Sequence, residues 1–156
     1  MTKRELLCAV PFLSDLGGDA LATLESCMGL RKFRRGQPIF SQGDPGDSLF
    51  LVMSGRVKLF IENSDGEQLT ILFCESGSCF GEMAVLDGKA RSASAEAVEL
   101  TETWIVTRND FLDLMRRAPE VAVAVITFLC SKLRADLDRM EEFIFLDTYD
   151  RVGRQL

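Results

Sequence analysis

The residues from Phe80 to Ala93 have the types and spacing from which an anion site can be built. Phe80-Gly81-Glu82-Met83-Ala84 is followed by a Gly-containing loop and then by Lys89-Ala90-Arg91-Ser92-Ala93. This reads as a strand end, one short helical turn, a loop, and a new strand opening at Arg91. Gly81 lets the backbone come close to a ligand. The amides of Glu82, Met83 and Ala84 are donors without intrahelical partners at a helix start, where the helix dipole also favours negative charge. Arg91 adds a planar fork suited to two phosphate oxygens, and Ser92 offers a hydroxyl and its own N–H. Glu82 would repel a phosphate, so its natural counterpart is a hydroxyl donor such as a ribose 2′-OH.

Other chemistries find little support. The 156 residues include no histidine. That removes imidazole acid–base catalysis, haem on a proximal histidine, and histidine-based metal sites such as those of barrel-shaped metal dioxygenases. No enzyme activity, cofactor or metal is expected. The five cysteines, Cys8, Cys27, Cys74, Cys79 and Cys130, are odd in number and show no CxxC spacing. Cys74 and Cys79 bracket a turn and read as buried thiols flanking it, ahead of a metal pair or a disulfide. Scattered thiols fit a reducing, cytoplasmic compartment. The start Met1-Thr2-Lys3-Arg4 with the apolar residues after it resembles a signal peptide only until Pro11, Asp15 and Asp19 interrupt it, and no cleavage site follows. The longest apolar run, 121–130, is broken by Thr127 and falls short of the roughly 20 residues a membrane span needs.

Positioning such a site takes a scaffold, and the pattern of the chain describes one. Hydrophobic residues make up 47% and charged residues 27%, the composition of a folded domain, and the length suits one domain plus an appended helix. The apolar residues of 12–28 fall at helical spacing, with Gly29 as the stop. From Phe33 onward, short apolar runs at 48–54, 56–62, 68–74, 91–98 and 102–107 alternate with Gly/Asp/Pro/Ser turns. That rhythm predicts a mainly β domain with flanking helices, a sandwich or a barrel, of which the rolled two-sheet version is a jelly roll. The helical period returns after Arg108, with Asn109 as N-cap of a helix to Arg117 and Pro119 opening a longer one that runs to about Asp147. In that helix Ile126, Cys130, Leu133, Leu137, Met140 and Ile144 are spaced 4, 3, 4, 3 and 4 apart, a heptad seam. A second stripe, Ala122, Val125, Phe128 and Leu129, is free to pack on the barrel. Two apolar faces on one helix predict a homodimer.

The residues 80–84 with 90–93 resemble the phosphate-binding cassette of cyclic-nucleotide-binding domains, and 43–57 resemble an earlier hairpin of the same family. Phe145-Leu146-Asp147 and the residues after it resemble the hinge that leads into the DNA-binding half of Crp/Fnr-type transcription regulators. The resemblance implies a jelly-roll (double-stranded β-helix) sensory domain at 1–118, a dimerisation helix at 119–147, and a hinge opening a DNA-binding domain at 148–156. It implies that Arg91 binds a cyclic phosphate with Gly81, Met83, Ala84 and Ser92, and that Glu82 holds the ribose 2′-OH. Leu59, Ile71 and Phe80 would line the base.

In the catabolite-activator branch the long helix reaches the base with a basic residue and two hydroxyl residues. This chain has Lys132, Asp136 and Leu137 there. Asp136 can accept from the adenine amine or from guanine N1–H and N2–H, while Leu137 can do neither. Cyclic AMP is favoured over cyclic GMP as the commoner ligand of the branch. The implied function is ligand-controlled DNA binding through a helix-turn-helix that is not among residues 1–156. The chain itself is a poor DNA binder: its net charge is −6, and Arg31-Lys32-Phe33-Arg34-Arg35 reads as a solvated strand edge. The alternatives are a cyclic-nucleotide module of a signalling enzyme or channel, a redox or gas sensor of the Fnr branch, or a degenerate domain in which Arg91 pairs with Glu82.

Overall fold

The computed structural model describes residues 2–155. Two short helices come first, α1 (Lys3–Ala9) and α2 (Gly18–Cys27). Of the helix predicted over 12–28, only 18–27 forms, with Gly17 as its N-cap; α1 ends where Val10 leaves helical geometry before Pro11, and turns join the two. The intervening residues still bury Phe12, Leu13 and Leu16. The apolar positions were therefore right, and the helix begins later than the spacing predicted. Thr2 and Glu5 close α1 with a reciprocal capping box.

Eight strands follow: β1 (Gly29–Phe33), β2 (Pro38–Phe40), β3 (Ser48–Ser54), β4 (Val57–Glu62), β5 (Gln68–Cys74), β6 (Cys79–Phe80), β7 (Ser94–Ala97) and β8 (Thr101–Thr107). They form two four-stranded antiparallel sheets, ordered β1-β8-β3-β6 and β2-β7-β4-β5. β3 explains the arrangement. It is buried on both faces, so its sequence is a continuous apolar run. Phe50 and Val52 join Val57, Cys74, Phe80, Ala95 and Ala97 in one core cluster. Leu49 and Leu51 join the second cluster, which the helices cover. The first residues of the run predicted at 91–98 are not strand: β7 begins only at Ser94. Arg91 sits in the preceding loop, its N–H bonded to the Asp44 carbonyl at 2.8 Å and its carbonyl to the Gly43 amide at 2.9 Å.

A short helix α3 (Glu82–Asp87) interrupts the strands, and α4 (Arg108–Arg117) and α5 (Pro119–Gln155) end the chain. The N-cap of α4 is Thr107, whose hydroxyl accepts from the Asp110 amide, and not Asn109, which lies inside the first turn. Pro119 does open α5. The helix continues past Asp147 without a break at the expected hinge, as far as Gln155; Leu156 lies outside the described residues. Val121 and Val125 on α5 are buried with Phe111 and Leu114 of α4 and with Leu24 of α2. Phe128 stacks against Phe12 at 4.7 Å between ring centroids. The opposite stripe, Ile126, Leu133, Leu137, Met140 and Ile144, is about 60% exposed, and Cys130 is exposed with it. Among the described residues no helix is long and apolar enough to cross a membrane.

The thiols at the turn are buried, Cys74 in the core between the sheets and Cys79 in the cluster under the helices. Burial pushes the Cys74 thiol up to about 11, with a smaller lowering contribution from Lys132, and pushes Cys79 up as well. At about pH 8, iodoacetamide should therefore label the exposed Cys8 while Cys74 and Cys79 react only after unfolding, as peptide mass mapping would read. The native state keeps the Cys74 proton between the ordinary 9.0 and about 11, whereas the unfolded chain loses it. Stability should thus fall as pH rises through that window.

Candidate functional site

Arg91 is 4% exposed and lies over the ring of Phe40, 4.1 Å from its centroid. Its Nη1 donates to the carbonyl of Gly81 at 2.9 Å and its Nη2 to the carbonyl of Ser48 at 2.7 Å. Nε is buried and has no hydrogen-bond partner among the described residues. Burial lowers the pKa of this guanidinium, opposed by the charges of Asp47, Asp44 and Glu82, and arginine remains a cation. The expected fork from both Nη groups is therefore partly committed to the protein. Each Nη keeps a second N–H, and Nε is the nitrogen of this guanidinium without any partner. A buried donor without a partner costs free energy, and an anionic oxygen placed against it would remove that cost.

Gly81 makes the approach possible. Its φ is +81°, and a Cβ there would lie 2.8 Å from Arg91 Nη1 and 3.3 Å from the Ser48 carbonyl oxygen. Gly81 is also the N-cap of α3 with no side-chain cap. The amides of Glu82, Met83 and Ala84 have no acceptor among the described residues. The back of α3 is set by the loop 43–47, where Gly46 packs directly on Ala84.

Glu82 is 8% exposed, and its Oε1 pairs with Lys132 Nζ of α5 at 2.6 Å. The pairing of Glu82 with Arg91 that a degenerate site would show is absent. Lys132, expected at the base, reaches the cassette carboxylate instead. Asp136 is exposed and pairs with Arg139 at 3.2 Å, and Leu137 is exposed on the seam. Within one chain, Asp136 makes no ion pair with the cassette, and the Leu137 side chain is largely in solvent. Met83 is half exposed, with the Ser92 hydroxyl 3.9 Å from its sulfur. Of the residues expected at the base, Leu59 is half-buried beside the core between the sheets, and Ile71 is exposed on the edge strand β5. Phe80 is buried and stacked on Phe50 at 5.0 Å.

The structure thus brings Gly81, Glu82, Met83, Ala84, Arg91, Ser92 and Lys132 together. Ser48 and Phe40, which hold the arginine, were missed. They lie far away in sequence and act through a backbone carbonyl and a ring face, neither of which leaves a motif.

The cyclic nucleotide-binding domain family matches residues 30–118, a span that includes the whole cassette. The chain belongs to this family. The cyclic AMP receptor protein of Thermus thermophilus is 43% identical over 147 residues, covering 94% of this chain and 68% of that protein. The crystal structure of the Thermus thermophilus catabolite activator protein superposes with a TM-score of 0.75 at 42% identity, covering 82% of this chain and 61% of that one. The human cGMP-dependent protein kinase 2 is 32% identical over 109 residues, covering 70% of this chain and 14% of the kinase. The chain spans about two thirds of its receptor-type relatives. A jelly-roll cyclic nucleotide-binding domain related to receptor-type regulators accounts for the two sheets and for the cassette between them.

Proposed function

We propose that this chain is the sensory and dimerisation part of a Crp/Fnr-type transcription regulator. It binds cAMP ahead of cGMP in the cytoplasm, performs no reaction itself, and controls a DNA-binding segment beyond Leu156. The observation that carries the reading is the buried Arg91 with an unpartnered Nε beside the uncapped first turn of α3. A cyclic phosphate would satisfy Nε and the three amides at once, and the ribose 2′-OH would donate to Glu82. Support for the receptor type over a kinase module comes from the extent of the match, since the receptor protein aligns along nearly the whole chain.

Coupling follows from the same residues. Glu82 is held by Lys132, and the neighbouring Leu133 belongs to the exposed seam. A 2′-OH competing for Glu82 changes what Lys132 does and therefore which arrangement of paired α5 helices is favoured. A ligand shifts that balance only by its differential affinity for the two arrangements. Calorimetric titration with cAMP and with cGMP tests the reading: cAMP should bind the tighter of the two, and no heat with either would refute it. Sedimentation tests the dimer. The chain should sediment as a dimer, and Leu137→Asp should move it to monomer, because a carboxylate in a heptad seam costs several kcal/mol of desolvation.

A further inference from the structure

We infer that Arg108 is a positioning residue that ties the nucleotide cassette to the helical layer, so that a movement of α3 becomes a movement of α4 and α5; this rests on the function proposed above. β8 runs into α4 with no loop between them, and Arg108 is the first helical residue. Its backbone N–H donates to the Asp47 carbonyl at 2.7 Å, fixing it to the loop that backs the cassette. Its side chain crosses to α3, where Nε donates to the Val85 carbonyl at 2.9 Å. That carbonyl is among the last of α3 and has no helical partner, since the Lys89 amide that would reach it donates to Asp87 Oδ1 at 2.9 Å instead.

The room for this crossing is provided by Gly88, where a Cβ would stand 3.1 Å from Arg108 Nη2. The side chain of Val85 is fully buried in the cluster that also holds Phe111 and Leu114 of α4 and Val121 and Val125 of α5. One residue of α3 is therefore gripped twice, by its side chain in that core and by its carbonyl on Arg108. α3 is a single piece of six residues, with the anion-facing amides at one end and this grip at the other. A shift of its first turn toward a phosphate must either pull α4 along or break the Arg108 bond.

The test uses two variants of the full 156-residue chain. Arg108→Met keeps the length of the stem and removes the donor. Arg108→Gln removes the charge but places an amide nitrogen the same number of bonds from the backbone as Nε. Hydrogen exchange is followed through 82–87 and 108–117, with and without cAMP, alongside calorimetry. In the wild type, cAMP should slow exchange in both segments. In Arg108→Met the slowing at 82–87 should remain and affinity should stay within about threefold, while the slowing at 108–117 falls below about one third of the wild-type value. Arg108→Gln should restore it. A purely structural role would raise exchange in both variants and leave the cAMP-dependent difference in place. An undiminished response of 108–117 in Arg108→Met, or equal loss in both variants, would overturn the inference. A wild type that binds no cAMP would instead overturn the function on which it rests.

Discussion

Arg91→Ala should weaken cAMP binding by about ten- to a hundredfold, because a hydrogen bond to a charged group contributes about 1.5–3 kcal/mol. The loss should be large because this guanidinium is already oriented. Two carbonyls, Ser48 and Gly81, and the Phe40 ring fix it before any ligand arrives, so little conformational freedom is lost on binding. Arg91→Lys should recover little. A lysine keeps the charge, but one ammonium cannot bond both carbonyls and the phosphate in the same planar geometry. Both carbonyls lose their partner in the alanine variant, so a thermal melt must accompany the calorimetry. A folded Arg91→Ala protein that binds cAMP as tightly as the wild type would remove the arginine from the site.

The second large effect is expected at Gly46, in the loop packed against α3. A Cβ on Gly46 would overlap the Cβ of Ala84 and stand 3.2 Å from its Cα. Neither group is the end of a flexible side chain, so α3 itself must move. Gly46→Ala should cost about 1–3 kcal/mol in stability, the usual range for overpacking, and should weaken cAMP binding by about tenfold as the amides of α3 leave their positions. Ala84→Gly removes the opposing methyl group. Alone it should destabilise by about 1 kcal/mol, the helix cost of glycine. Combined with Gly46→Ala it should restore both stability and binding. A strongly favourable coupling in that double-mutant cycle is the expected signature, and strict additivity would show that the two residues do not press on one another.

The residue types of the cassette and most of the scaffold were legible without coordinates. Glycine at 81 meets a positive φ, and the carboxylate at 82 and guanidinium at 91 stand close to it in the chain, so the spacing of the three was readable directly. The β3–β5 runs were legible because β3 is covered on both faces and turn residues delimit each strand. The exposed apolar stripe of α5 was legible because a heptad pattern needs only local periodicity. Failures came where local signals conflict or fall silent. Gly17 starts the helix partway along an apolar pattern that runs straight through it, and β1, β2 and β6 are too short to display a period.

Tertiary structure alone decided how the site is held. That each Nη of Arg91 would bond a carbonyl, of Gly81 and of Ser48, while Nε stays without a partner, depends on β3 and the 43–47 loop meeting residues some forty positions away. That Lys132 would grip Glu82, and Asp136 turn to Arg139, depends on how α5 lies across the cassette. Periodicity states which face of a helix is apolar; the residue its polar positions touch is set by packing between elements distant in the chain, where no local preference operates.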